Sequence, residues 1–270
     1  MRLIIFTHSD LASNFNLNLL LPHVHQHVVQ IFISDTPDSP KTDLPKSLKT
    51  LKFFEQDMPN NILFPEIDGD TSKILTNDKL LTFNGLAAKY NVKIDTLNDV
   101  RSAESLDKIA ALKPDLMLSV RYRKIFGDAC IKIPKRGIIN LHSGKLPHYR
   151  GVLATFRALS NGDDTIHGTL HYIQNATIDT GDIIGMSHVK VDKNRSLLSH
   201  ILSIYAASLP LLVQTIEKIS NNEKPHTSHQ NAENGQYFTF PTQAEIDDFT
   251  AKGWYFINME EYEQFMSQYM

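Results

Sequence analysis

The chain of 270 residues has one cysteine, one tryptophan and no basic excess, and each shortage narrows what it can be. A single thiol, Cys130, excludes an intrachain disulfide and suits a reducing compartment. The formal net charge of −3 argues against a general nucleic-acid binder, though a local basic pocket would be compatible with it. No apolar run reads as a membrane span, and the apolar stretch before His8 is too short for a signal peptide. The loop that follows, THSDLASNF, lacks glycine, so it is neither a dinucleotide fingerprint nor a phosphate-cradling P-loop. What is present, 41% hydrophobic and 21% charged residues, is the composition of a globular chain able to bury a sizeable core. A cytoplasmic protein without membrane or nucleic-acid partners is the expectation.

The apolar pattern predicts a strand over 2–6, a helix in DLASNFNLNLLLPHV and a strand over 27–34. That order implies parallel pairing through a crossover, hence an α/β, doubly wound, mostly parallel sheet. Residues 35–62, with their prolines and charges, read as an excursion carrying a helix near 45–56. A helix and strand follow over 80–94, then a serine-capped helix and a strand ending at Val120. GIINLH is the next strand, VLATFRALSNG a helix closed by Asn161 and Gly162, and 167–173 and 182–191 two more strands. A long helix interrupted near Pro210 precedes a polar linker and an aromatic-rich tail. The expected division is an α/β domain over 1–222, then a linker and small C-terminal extension over 223–270.

Two stretches carry chemistry. In INLHSGKLPHYRG (139–151), Asn140 and His142 close an apolar strand, and strand alternation places them on one face, about 7 Å apart. Open α/β sheets bind ligands beyond the carboxyl ends of their strands, where these two side chains lie. In TIDTGDII (177–184), Asp179 occupies a turn beside Gly181. Acyl transfer to nitrogen needs a donor for the developing oxyanion, which an Asn amide or a protonated His supplies. It also needs a group that handles the proton of the attacking amine, within the range of His or Asp. The bland alternative is a polar strand end and a self-bonded turn aspartate.

NLHSGKLPHYRG with the later IDTGDII resembles the 10-formyltetrahydrofolate-dependent formyltransferases over roughly residues 1–222. The resemblance implies a doubly wound sheet, a catalytic Asn140, His142 and Asp179, and 10-formyltetrahydrofolate as co-substrate with no metal. VRYRKIFG (120–127) lies where that family holds the pteridine by backbone contacts, which makes Tyr122, Lys124, Ile125 and Phe126, with Gly181, the expected folate-binding residues. Where the family usually has a Pro or Ala after the histidine, this chain has His-Ser-Gly, and the tail is unlike the basic barrel of initiator-tRNA formyltransferases. The implied acceptor is the amine of a small metabolite, foremost a nucleotide-linked amino sugar. N-hydroxyornithine, glycinamide ribonucleotide and water (a formyl-folate hydrolase) are the alternatives, as is a folate-binding scaffold without activity. A homodimer is the expected assembly.

Other features have weaker readings. Asp179-Thr-Gly resembles half of an aspartic protease site, but one motif among helices lacks its partner. His167 and His171 share a strand face without a cysteine or carboxylate near in sequence to complete a metal set. Arg121, Arg123 and Lys124 suit either an anion or a solvated turn. Phe238, Phe240, Trp254 and Tyr255 suit packing better than ligand binding.

Overall fold

The computed structural model describes residues 1–35, 44–69 and 79–270. Its strands are β1 (Leu3–His8), β2 (Val28–Ser34), β3 (Ile94–Thr96), β4 (Leu116–Val120), β5 (Ile138–His142), β6 (Tyr149–Gly151), β7 (Thr165–Ile173), β8 (Ile183–Lys190) and β9 (Gln236–Phe238). One sheet runs in the order β3-β2-β1-β4-β5-β7-β8. Its first five members in that order are parallel, and β7 and β8 are antiparallel additions. The chain starts in mid-sheet at β1, winds outward to β3 and returns to β4. This is the doubly wound, mostly parallel arrangement that the sequence predicts.

Every residue of β1 and β4 is buried, as expected of parallel strands covered on both faces. The covering helices are α1 (Leu11–Val24), α2 (Lys46–Lys52), α3 (Phe64–Gly69), α4 (Phe83–Tyr90), α5 (Ala103–Ala111), α6 (Asp128–Ile131), α7 (Ala154–Asn161), α8 (Leu197–Ser220), α9 (Gln243–Ala251) and α10 (Met259–Met266). Asp10 caps α1 by accepting the Ser13 N–H at 2.8 Å, and Ser196 caps α8. Of the predicted excursion over 35–62, residues 36–43 lie outside the described residues. The helix expected near 45–56 is α2, continued by two π-helical turns, Phe53–Asp57 and Pro59–Leu63.

Two expectations need correction. Pro210 does not interrupt α8, which runs unbroken for 24 residues. A proline removes one helical donor, but the buried face of α8 packs on α1, β7 and β8, and tertiary contact outweighs that loss. The same helix is long and apolar enough to cross a membrane by length and composition, and 56% of its most apolar stretch is buried inside the protein.

The C-terminal extension packs into the same core as the sheet. Phe249, Trp254, Phe256, Tyr262 and Tyr269 are all buried there, each such side chain contributing about 1.5–3 kcal/mol. Its strand β9 pairs in parallel with β6, directly after the Asn140–His142 strand end. A separate small core on the other sheet face joins Ile4, Phe6, Phe32, Met117, Tyr122 and Phe126.

Candidate active site

Strand register alone brings the first pair of side chains together. Asn140 on β5 lies directly opposite His171 on antiparallel β7. Such pairs have neighbouring side chains, and the Asn140 amide nitrogen is 3.1 Å from His171 Nε2. His171 Nδ1 donates to the Tyr172 carbonyl at 2.9 Å, which leaves Nε2 directed at the site. Two residues along β5, His142 Nε2 donates to the Tyr149 carbonyl at 2.6 Å. That bond turns His142 Nδ1 towards Asp179 Oδ2, 3.5 Å away. Asp179 Oδ1 stands 3.5 Å from His171 Nε2, so one carboxylate spans both imidazoles.

Asp179 reaches this position from the connection between β7 and β8, with its backbone in the left-handed region at φ 56°. Outside glycine this conformation costs roughly 1–2 kcal/mol, and Asx residues accept it most readily. The Gly151 N–H donates to Asp179 Oδ2 at 2.9 Å. Burial on its own would raise the Asp179 carboxyl. The charge of His142, the hydrogen bond and charge of His171 and the Gly151 N–H outweigh it and hold the carboxyl well below the usual carboxylate range. The carboxylate is therefore the standing negative charge of the site.

Close packing explains the glycine two residues after His142. A Cβ on Gly144 would lie 2.4 Å from the Ala154 Cβ and 2.8 Å from His142 Nε2. Nothing larger fits between the imidazole and the start of α7. The loop then turns through a cis Leu146–Pro147 bond, and Thr169 Oγ1 holds it by donating to the Gly144 carbonyl at 2.6 Å.

Asn140, His142, His171 and Asp179 all open on one cavity of about 1000 Å³. Tyr122, Lys124, Ile125 and Phe126 line it as well, but they contribute differently from one another. The Tyr122 and Phe126 rings are buried against Phe6, and the Tyr122 hydroxyl donates to the Leu97 carbonyl at 2.7 Å. Those two rings are core side chains, and what they leave for a ligand is backbone. Ile125 is 43% exposed at the cavity mouth. Gly181, expected among the folate contacts, is not among the lining residues of this cavity. A Cβ there would sit 1.8 Å from the Tyr172 carbonyl, so the glycine permits the close approach of the Asp179 turn to β7. Tyr237 and Phe240 of the extension form part of the cavity wall, whereas the sequence pointed to packing for Phe240 and did not single out Tyr237.

Arg121 and Arg123 line the cavity, but their guanidinium groups are already paired with carboxylates. Both donate to Asp10, at 2.9 and 3.0 Å, and Arg121 also pairs with Glu55 at 2.8 Å. Glu55 arrives on the first π-helical turn, so the cluster ties the excursion to the carboxyl end of the sheet. His8 lies against this cluster, with Nδ1 2.9 Å from the Ser34 hydroxyl. Burial, then the Arg123 charge, lowers His8 to about 3. An unfolded histidine takes its proton near pH 6.5, so the unfolded chain binds the extra proton first. Stability is complete above about pH 6.5 and is lost as the pH falls towards about 3. The low-lying carboxyls of Asp10 and Asp179 add to the loss only below about pH 4. Denaturant unfolding at stepped pH should record the decline already between about pH 6.5 and 4.5, and His8→Asn should flatten it there. Equal slopes in both proteins would assign the effect to other groups.

Among the described residues no three His, Cys, Asp or Glu side chains form a group that could hold a metal. His167 faces His188 across β7 and β8 instead, with ring centroids 6.4 Å apart.

Residues 83–207 match the formyl transferase family, a span that contains Asn140, His142, His171 and Asp179. A bifunctional polymyxin resistance protein from Wigglesworthia glossinidia brevipalpis is 32% identical over 50% of this chain and 20% of its own length. A methionyl-tRNA formyltransferase from Ehrlichia chaffeensis is 30% identical over 64% of this chain and 55% of its own length. The chain thus spans between a fifth and about half of these curated relatives. A 4-N formyltransferase from Francisella tularensis superposes with a TM-score of 0.56 at 17% identity, covering 92% of this chain and 86% of that one. Glycinamide ribonucleotide transformylase 1 from Symbiobacterium toebii gives 0.57 at 16% identity, covering 86% and 94%. The matched segment carries the Asn-x-His strand end and the Asp179 turn, and over it this chain is similar to the formyl transferase family.

Proposed function

We propose that the protein transfers the formyl group of 10-formyltetrahydrofolate to the amine of a small biosynthetic metabolite, with a nucleotide-linked amino sugar as acceptor. The observation that carries the reading is the convergence of Asn140, His142, His171 and Asp179 on one wall of the 1000 Å³ cavity. The acceptor nitrogen attacks the formyl carbon, and the carbonyl oxygen takes up negative charge. The Asn140 amide, and His142 when protonated, donate to that oxygen. The bond from carbon to N10 then breaks, and the proton lost by the acceptor nitrogen ends on N10. His142 carries that proton, and the Asp179 carboxylate stabilises the imidazolium formed on the way. The products are the formamide and tetrahydrofolate, with no covalent enzyme intermediate.

The cavity, about 1000 Å³, lies at the top of the roughly 300–1,000 Å³ range of small-molecule pockets. Segment 122–126 offers the backbone and apolar wall that a flat pteridine requires. The aromatic faces of Tyr237 and Phe240 suit a nucleobase at the acceptor end. Two neighbours support both ends: one was solved with dTDP and 5-N-formyl-THF, another with folinic acid and dTDP-3-aminofucose. The net charge of −3 disfavours a tRNA acceptor.

The test supplies formyl-folate with a nucleotide-linked amino sugar, N-hydroxyornithine or glycinamide ribonucleotide, and follows release of tetrahydrofolate. Turnover with the amino sugar is the expected result. Release without any acceptor would make the protein a hydrolase, and neither turnover nor folate binding would end the reading. Tyr237→Ala should raise the acceptor KM on the order of tenfold, as loss of one stacking face implies, with the formyl-folate KM unchanged. An unchanged acceptor KM would remove the extension from the acceptor site.

A further inference from the structure

Resting on the transfer reading above, we propose that Gln230 is a positioning residue for the reaction, setting the Asp179 carboxylate against His142 through the backbone of the Asp179 turn. Gln230 lies in the segment between α8 and β9 and is 5% exposed. Its side-chain amide donates to the carbonyls of Asp179, at 3.1 Å, and Gly181, at 2.6 Å. These carbonyls flank the residue that follows Asp179, so one NH₂ group bridges the turn. Asparagine is too short to fill the same space, a carboxylate has no proton to give, and a hydroxyl has one donor where two are needed. The Gln230 Oε1 meets no donor, which leaves the two N–H groups as the whole of its polar contact.

The turn needs such a restraint. Asp179 holds a left-handed backbone at φ 56°, which an L residue keeps only where its surroundings impose it. Gly181 presses against the Tyr172 carbonyl on one side, and Gln230 closes the other. Gln230 is itself fixed, because Ser228 and Ile183 exchange backbone hydrogen bonds of 2.8 and 2.9 Å at the start of β8. Continuing from there, the same segment becomes β9, which pairs with β6 and so places the Gly151 N–H that Asp179 Oδ2 accepts. One stretch of the extension therefore restrains Asp179 at its main chain and at its carboxylate. A change at Gln230 acts on the chemistry through Asp179, at a distance from either ligand.

Gln230→Met keeps length and volume but supplies no donor. Its kcat should fall at least about tenfold while the KM for formyl-folate stays within about twofold. Exchange of the Gly151 amide proton, which reports the carboxylate's position without any turnover, should accelerate at least about tenfold. Gln174→Ala serves as the control, since Gln174 bridges Asp182 in the same connection at 3.0 Å. It should lower Tm and leave both kcat and Gly151 exchange as they are. A Gln230→Met enzyme with wild-type kcat and wild-type Gly151 exchange overturns the proposal, and so does a Gln174→Ala enzyme with equal losses. If the wild-type protein proves unable to transfer formyl groups, the exchange rates still decide: faster Gly151 exchange in Gln230→Met alone upholds the positioning role, and no change removes it.

Discussion

Asn140→Ala is expected to lower kcat by about 10²–10³ with the formyl-folate KM within about twofold, the loss typical of one oxyanion donor. His142→Ala should lose at least as much, since in the proposed mechanism it removes both a donor and the proton carrier. The geometry gives these numbers their basis. Asn140 is held by register opposite His171, and His142 by the Tyr149 carbonyl, so neither amide nor imidazole has to be ordered when the substrate arrives. Preorganised donors of this kind stabilise charge that exists only in the transition state, so the loss belongs in kcat. Melting temperature measured beside kcat separates this from a purely architectural role, which would lower Tm and leave the folded enzyme's kcat intact. A folded, fully active Asn140→Ala protein would remove the oxyanion assignment.

Asp179→Asn should also cost kcat on the order of 10²–10³, by a different route. Asparagine keeps the shape and can still accept the Gly151 N–H through its oxygen. What disappears is the negative charge between two imidazoles, and with it the support for a protonated His142. The pH dependence of stability should change in step. Asp179 is held below its unfolded value, so its contribution is present above about pH 4 and lost on acidification. Asp179→Asn should lack that portion of the acid limb. Combining His142→Ala with Asp179→Asn should cost little more than the worse single change, because the two side chains act as one unit. Fully additive losses in kcat would mean that the carboxylate works independently of His142.

The strand ends were legible because polar side chains at the end of an apolar run contradict burial, which makes Asn140 and His142 visible by alternation alone. Asp179 was visible through its glycine turn, although the close approach of Gly181 to the Tyr172 carbonyl was not. His171 carried a partial signal, sharing the strand period of His167, and only antiparallel register separates the one that meets Asn140 from the one that meets His188. Gln230 had no signal at all. It stands in a polar linker, and nothing local distinguishes a glutamine that meets solvent from one that bridges two buried carbonyls. Arg121 and Arg123 misled for a related reason, since their partners, Asp10 and Glu55, are distant in sequence and arrive on separate elements.

The sequence by itself determined the sheet's winding, the absence of a phosphate-cradling first loop and the Asn-x-His strand end, because strand period, loop composition and chain order are local properties. Only the tertiary structure decided that α8 runs unbroken through Pro210, that the extension shares the core and walls the cavity, and that one carboxylate spans two imidazoles. Each of these depends on which distant segments meet. Packing and pairing energies between such segments outweigh local preference, and a one-residue change of register would carry Asn140 away from His171.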